Sequence, residues 1–281
     1  MITARVAPLV NRGDCLFLEN GIVELVVSLT DLRLLRYGFA GKENMLHLPE
    51  NGTGGGHFPS ILFPDGKALS GLESCAYEKT GCGVRFSSAV SGTGLKYGLE
   101  IKLVHGSSEV KIIHSLQNPG PASTLSLCAE TDMEEGGLAV LPQSDSDTGD
   151  RPNRVIAVWP NTNMADPRIL WGDDYILVQQ ASMKPLKFGV SADHGWSAYF
   201  NTGRLFIMRY PVFKCAPYPD CGCAVVVDTR EEFTRLSTRS PVVSLGPGET
   251  RSHSESWTLY ADVPCPPVEE WPVYETLRGI V

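Results

Sequence analysis

The chain has 281 residues, 42% of them hydrophobic and 20% charged, which is enough apolar side chain for a sizeable core and too much for a disordered polymer. Its 24 Lys and Arg against 32 Asp and Glu leave a formal charge of −8, which argues against a nucleic-acid or anionic-membrane partner, since phosphate binding needs a basic face. No apolar run approaches the ~18–20 residues that cross a bilayer, and the opening MITARVAPLVNRGDC lacks the unbroken apolar stretch of a signal peptide, so a cytoplasmic protein is expected.

Taken in chain order, alternating or continuous apolar runs fall at 22–29, 99–104, 110–116, 124–127, 155–159 and 175–179. They continue at 196–200, 205–210, 224–228, 242–245 and 256–260. Leu99-Glu100-Ile101-Lys102-Leu103 alternates as a half-buried strand should. Asn20-Gly21, Pro64-Asp65-Gly66, Asn118-Pro119-Gly120 and Pro247-Gly248 supply turns between such runs. One helix is predicted, over 269–280, with Pro272 near its start. The absence of βαβ repetition excludes Rossmann, flavodoxin-like and TIM-barrel layouts, and no period of 20–50 residues suggests a propeller or solenoid. The polar stretch 143–153 reads as a surface loop rather than a linker. The expected fold is all-β: a large antiparallel sandwich in one domain over 1–281.

Cysteines stand at 15, 75, 82, 128, 215, 221, 223 and 265, with no CxxC pair. A chain of this size needs no staples, and reduced thiols are expected without an export signal. Cys215, Cys221 and Cys223, with His194, could be imagined around zinc, but C-x5-C-x-C is not a paired knuckle. They are read as turn and strand cysteines, and no metal or other cofactor is expected.

Several motifs fail on their chemistry. Asn51-Gly52-Thr53-Gly54-Gly55-Gly56-His57 is followed by Phe58-Pro59 rather than the Lys-Ser/Thr and helix of a phosphate loop. It is read as a glycine loop that lets backbone approach a neighbour closely. The same stretch holds a glycosylation sequon, relevant only to a secreted protein. Asp145-Ser146-Asp147-Thr148-Gly149-Asp150 misplaces the glycine of a calcium loop and has Ile156 where the bidentate glutamate belongs. No G-x-S-x-G elbow is present. Acid–base sugar chemistry needs a carboxylate and a histidine converging from separate strands. The candidates are Glu130, Asp132, Asp220 and Glu255 with His57, His114, His194 and His253. Trp171, Trp196, Tyr199, Phe200, Tyr210 and Tyr218 could floor a sugar site, although such aromatics commonly belong to a core.

The order Lys187-Phe188-Gly189, Gly195-Trp196-x-x-Tyr199, Tyr218-Pro219-Asp220-x-Gly222, Leu245-Gly246-Pro247-Gly248-Glu249 and His253-x-Glu255-x-Trp257 resembles the DUF4380 family, one of the galactose mutarotase-like carbohydrate-binding supersandwiches. Asn20-Gly21-Ile22, Arg33-x-x-x-Tyr37, Gly55-Gly56-His57, His114 to Asn118 and Gly136-Gly137 to Pro142 extend the resemblance across roughly 15–262, leaving a short C-terminal tail.

The resemblance implies a two-layer antiparallel supersandwich with a sugar-sized cleft on one sheet. In aldose epimerases of this superfamily a glutamate takes the proton of the anomeric hydroxyl while a histidine protonates the ring oxygen, without metal or nucleotide. If that chemistry operates here, as in an aldose 1-epimerase-like isomerase, His57 or His114 is the expected acid and Asp220 or Glu255 the expected base. Lys187 would line the cleft, with Trp196, Tyr199 and Tyr218 as further sugar contacts. The chain departs from the pattern at Leu127-Cys128-Ala129-Glu130-Thr131, Ala224-Val225-Val226-Val227 and Arg235-Leu236-Ser237, where family histidine or acidic positions fall. Each assignment has a competing reading: His114 as a hydrogen-bonded core residue, Asp220 as a turn former after Pro219, and Glu255 on the outer face of a terminal strand. The expected partner is a small-molecule carbohydrate. The alternative is a non-catalytic module that binds glycan or protein through the same sheet, and a metal-dependent hydrolase or lyase built on His57 is the least supported.

Overall fold

The computed structural model describes residues 2–73 and 75–281. The chain opens with β1 (Thr3–Leu9), β2 (Gly13–Glu19), β3 (Val23–Ser28), β4 (Leu34–Phe39), β5 (His57–Leu62) and β6 (Ala68–Leu69). There follow β7 (Ala76–Thr80), β8 (Gly83–Ala89), β9 (Lys96–Leu103), β10 (Val110–Gln117), β11 (Ser123–Glu134) and β12 (Leu138–Pro142). Next come β13 (Ile156–Val158), β14 (Ile169–Trp171), β15 (Tyr175–Gln179), β16 (Leu186–Val190), β17 (Trp196–Asn201) and β18 (Arg204–Arg209). A single turn, α1 (Pro219–Gly222), precedes β19 (Val225–Thr229), β20 (Phe233–Arg239), β21 (Val243–Leu245), β22 (Thr250–Tyr260) and the helix α2 (Glu270–Leu277). Every apolar run read from the sequence coincides with one of these strands, and α2 occupies the predicted helix, with Pro272 tolerated in its first turn.

Two antiparallel sheets result. One runs β1-β2-β3-β4-β5-β11-β20-β19-β16-β13, with β6 and β21 at its margins, and the other runs β14-β15-β12-β17-β18-β22-β10-β9-β8-β7. Period-two patterning orients them: along β9 and β10 burial alternates residue by residue, with Leu99, Ile101, Ile112 and Leu116 turned into the space between the sheets. The facing sheet contributes Leu127, Met133, Leu236, Val227 and Phe188 to the same core. β12 is buried on both faces because its far side, with Leu138 and Val140, lies under Val273 and Leu277 of α2. Alternation therefore turns Cys128, Glu130 and Asp132 of β11, and Arg235, Ser237 and Arg239 of β20, to the opposite face of the twelve-stranded sheet.

The glycine loop has the close-approach role read from its sequence. Gly55 and Gly56 adopt φ of +71° and +69°, and a Cβ on them would lie 2.5 Å from the His47 carbonyl oxygen and 2.4 Å from that of Leu34. The turn is pinned by hydrogen bonds from Gly56 N to His47 O and from Asp132 N to Gly56 O, at 2.8 and 3.0 Å. It delivers His57 into β5, beside β11.

Candidate functional site

On the outward face of the twelve-stranded sheet the register lines up charges across four neighbouring strands. Asp132 of β11 pairs with Arg235 of β20, Arg235 with Asp228 of β19, and Asp228 with Lys187 of β16. Opposite charges at directly facing positions stabilise a sheet, and a guanidinium matches a carboxylate through two parallel bonds. Arg235 donates Nε to Asp132 Oδ1 at 2.6 Å and Nη2 to Oδ2 at 2.9 Å. Asp228 is held by Arg230 at 2.7 Å, while the Lys187 ammonium lies over the Trp159 ring, 4.9 Å from its centroid.

One pleat along, Phe58, Glu130 and Ser237 form the next row. The Arg33 and Arg235 guanidiniums lie 3.8 and 5.1 Å from the centre of the Phe58 ring. Ser237 Oγ donates to Glu130 Oε2, and Oε1 has no protein partner among the described residues. The third row is Ser60, Cys128 and Arg239. Arg239 is bridged to Asp220, which the turn after Pro219 brings across with φ of +49°. Burial pushes the Cys128 thiol up to about 12, so it is an inert filler of the floor rather than a nucleophile. The face thus combines an aromatic ring, a half-buried carboxylate, hydroxyls and guanidiniums, which are donors and acceptors suited to a polyol.

The histidines assemble elsewhere. His57 of β5, His114 of β10, and His253 and Glu255 of β22 all point between the sheets and are at most 2% exposed. Tyr97 OH lies 2.6 Å from His114 Nδ1, His114 Nε2 lies 3.0 Å from His57 Nε2, and His57 Nδ1 lies 2.9 Å from Thr131 Oγ1. With both rings neutral the chain runs in one sense throughout, either from Tyr97 through His114 and His57 to Thr131 or in reverse, each ring donating once and accepting once. Thr238 accepts from His253 Nε2 at 2.7 Å and donates to Glu255 Oε1, while Trp257 Nε1 donates to Glu255 Oε2 at 2.8 Å. Burial pushes His57 down to about 3 and His253 to about 4, holds His114 well below the usual histidine range, and raises Glu255 to about 7.

The structure therefore brings His57, His114 and Glu255 together, with His57 Nδ1 and Glu255 Oε2 4.0 Å apart, but encloses them in the core. Asp220 lies on the outward face with Lys187, so the four expected catalytic residues do not share one site. The outer-face reading of Glu255 does not hold, because β22 is flanked by β18 and β10 and turns Glu255 inward. His114 is the hydrogen-bonded core residue of its competing reading. Tyr199 is fully buried, its hydroxyl donating to the Glu134 carbonyl at 2.6 Å. Trp196 packs beside Tyr175 on the far side of the other sheet, and the Tyr218 hydroxyl accepts from Phe213 N at 3.0 Å. Sequence reasoning missed Phe58, Arg33, Arg235, Ser237 and Arg239. Their signal was present in the alternation Glu130-x-Asp132 and Arg235-x-Ser237-x-Arg239, polar residues of period two on strands otherwise rich in apolar ones.

No family model matches the sequence, and a search of curated proteins finds no match. Solved structures do match. An Escherichia coli K12 protein provisionally assigned as an aldose 1-epimerase aligns with a TM-score of 0.57 at 10% identity, over 93% of this chain and 100% of that one. The fold is that of the galactose mutarotase-like supersandwiches. A galactose mutarotase related enzyme from Lactobacillus acidophilus aligns with a TM-score of 0.52 at 11% identity, over 92% of this chain and 98% of its own. A TPR-domain containing protein from Parabacteroides distasonis gives a TM-score of 0.60 at 13% identity over 89% of this chain. This chain spans 47% of the length of that protein. No helix among the described residues is long and apolar enough to cross a membrane, and no group of three or more His, Cys, Asp or Glu among them is disposed to hold a metal ion.

Proposed function

We propose that the chain binds a small carbohydrate on the outward face of the twelve-stranded sheet, as a DUF4380-like member of the mutarotase-like superfamily. The observation that carries this reading is the row Phe58–Glu130–Ser237, flanked by Arg33 and Arg235. The guanidiniums laid on the Phe58 ring and the unengaged oxygen of Glu130 offer a sugar's hydroxyls donors and an acceptor at once. The fold supports the reading, since its neighbours include proteins described as mutarotases and epimerases. Lys187 and Asp220 border this surface, whereas His57, His114 and Glu255 serve the core. Epimerisation needs an acid and a base that both reach the sugar, and the three rows from Asp132 to Cys128 supply carboxylates without a histidine, so binding without anomer exchange is the better-supported activity. Eight free thiols suit a reducing, cytoplasmic setting.

The test is titration with a panel of hexoses, pentoses, hexosamines and uronic acids, followed by NMR shift mapping and by anomer-exchange rates in the same samples. Saturable shifts at Phe58, Glu130 and Ser237 with unchanged exchange rates are expected. Shifts confined to other surfaces, or none with any sugar, would overturn the proposal.

A further inference from the structure

The same outward face continues into a second, differently charged place. Beyond the Asp132–Arg235 row, Glu134 of β11 faces Phe233 of β20, and the His47 ring stacks on Phe233 with centroids 5.3 Å apart. His47, Glu50, Asn51, Glu134, Glu135 and Glu232 line a cavity of about 510 Å³ there. Its charged walls are carboxylates, and no Lys or Arg lines it.

His47 is the second observation. It is 7% exposed, and its Nε2 has no hydrogen-bond partner among the described residues. Nδ1 lies 3.4 Å from Glu134 Oε1, and Nε2 points toward Glu232 Oε2 at 3.8 Å, beyond hydrogen-bond distance. Against the effect of burial, Glu134, Asp132 and Glu232 raise the ring above the ordinary histidine value, so an entering cation takes the place of the Nε2 proton; with the Nδ1 proton given to Glu134, Nε2 is then a bare acceptor between carboxylates. A hydroxyl could satisfy the ring nitrogen but would leave the surrounding negative charge uncompensated. An anion would be repelled. A compact cation with several N–H donors answers both needs, one proton to Nε2 and the others to carboxylate oxygens.

We infer that this pocket takes a primary ammonium group. The pocket rests on His47 and its carboxylates alone and stands apart from the carbohydrate reading above. Glu130 and Glu134 stand two rows apart on β11, about 14 Å, so one sugar ring on Phe58 and Glu130 does not reach this pocket and the two places are separate.

The experiment is calorimetric titration of the full chain near neutral pH and at low salt with glucosamine, N-acetylglucosamine, glucose and 1,4-diaminobutane. It is repeated on Glu232→Gln and Glu135→Gln. Glu232 is 71% exposed through its side chain, so its replacement spares the fold. 1,4-Diaminobutane should bind, and at least roughly fivefold more weakly in both variants, whereas glucose binding should be indifferent to them. Binding of the diamine alone, sensitive to Glu232→Gln, upholds the ammonium pocket and overturns the carbohydrate reading. Diamine binding unchanged in both variants overturns the pocket and leaves the carbohydrate reading. Failure of every amine to bind also overturns the pocket.

Discussion

His57 Nε2 and His114 Nε2 face each other at 3.0 Å from opposite sheets, a contact with room for one proton and no more. A second would set two N–H donors head to head where no water enters. The pair is a polar rivet through an apolar core, and its chemistry dictates how the protein should respond to acid.

Stability should rise from pH 5 to pH 7. His57 and His253 have folded values of about 3 and 4, and His114 also lies well below its ordinary value. Below about 6.5 the unfolded chain therefore takes up protons that the fold refuses, and stability drops as pH falls. Glu255, at about 7 when folded against 4.5 as a free group, acts oppositely: its contribution falls as pH rises through that window. Three histidines outweigh one glutamate, leaving a slope on the order of 2 kcal/mol per pH unit near pH 5.5. Urea midpoints between pH 5 and 7 measure it, and His253→Gln should flatten it; a level wild-type profile contradicts the scheme.

Glu255→Ala should cost ~2–5 kcal/mol of stability, because it strands the Trp257 indole N–H and the Thr238 hydroxyl in the core. Sugar binding by the fraction that remains folded should be unchanged. A catalytic Glu255 would show the reverse, little loss of stability and a collapse of turnover.

Glu130→Gln should weaken sugar binding roughly tenfold with the unfolding free energy changed by less than about 0.5 kcal/mol, as expected for a half-buried carboxylate that contacts ligand. Asp132→Asn should behave differently, costing about 3 kcal/mol by leaving the partly enclosed Arg235 without its counter-charge. Parallel thermal melts and NMR titrations distinguish the two; equal destabilisation by both substitutions would count against the assignment of Glu130.

Gly56→Ala should destabilise by about 2–4 kcal/mol, since its φ of +69° and the Leu34 carbonyl oxygen 2.4 Å from the added Cβ both oppose a side chain. The Gly66→Ala control, also at positive φ but with nothing within 4 Å of the added Cβ, should cost less.

The all-β class was legible because alternation survives wherever one face of a strand is wet, as along β9 and β10. β20 was not, because its inward Thr234 and Thr238 are polar and its outward Arg235 and Arg239 are charged, so hydrophobicity shows no period there. The site suffered from the same ambiguity. Glu130 and Asp132 stood among the candidate carboxylates, but nothing local distinguishes them from Glu255, which has the same residue type on a strand of similar alternation and points into the core. The side to which a strand turns its odd residues is set by its neighbours, more than a hundred positions away in some cases, and not by its own letters.

The order in which this sandwich can be made follows from the place of β22. It lies between β18 and β10, joining two halves of the ten-stranded sheet, and it carries His253, Glu255 and Trp257 into the interior. While a ribosome is still short of residue 250, those halves have no common edge and the buried hydroxyls of Thr131 and Thr238 have yet to be sealed. A nascent chain should therefore stay sensitive to protease until its last strand leaves the exit tunnel, and then close abruptly.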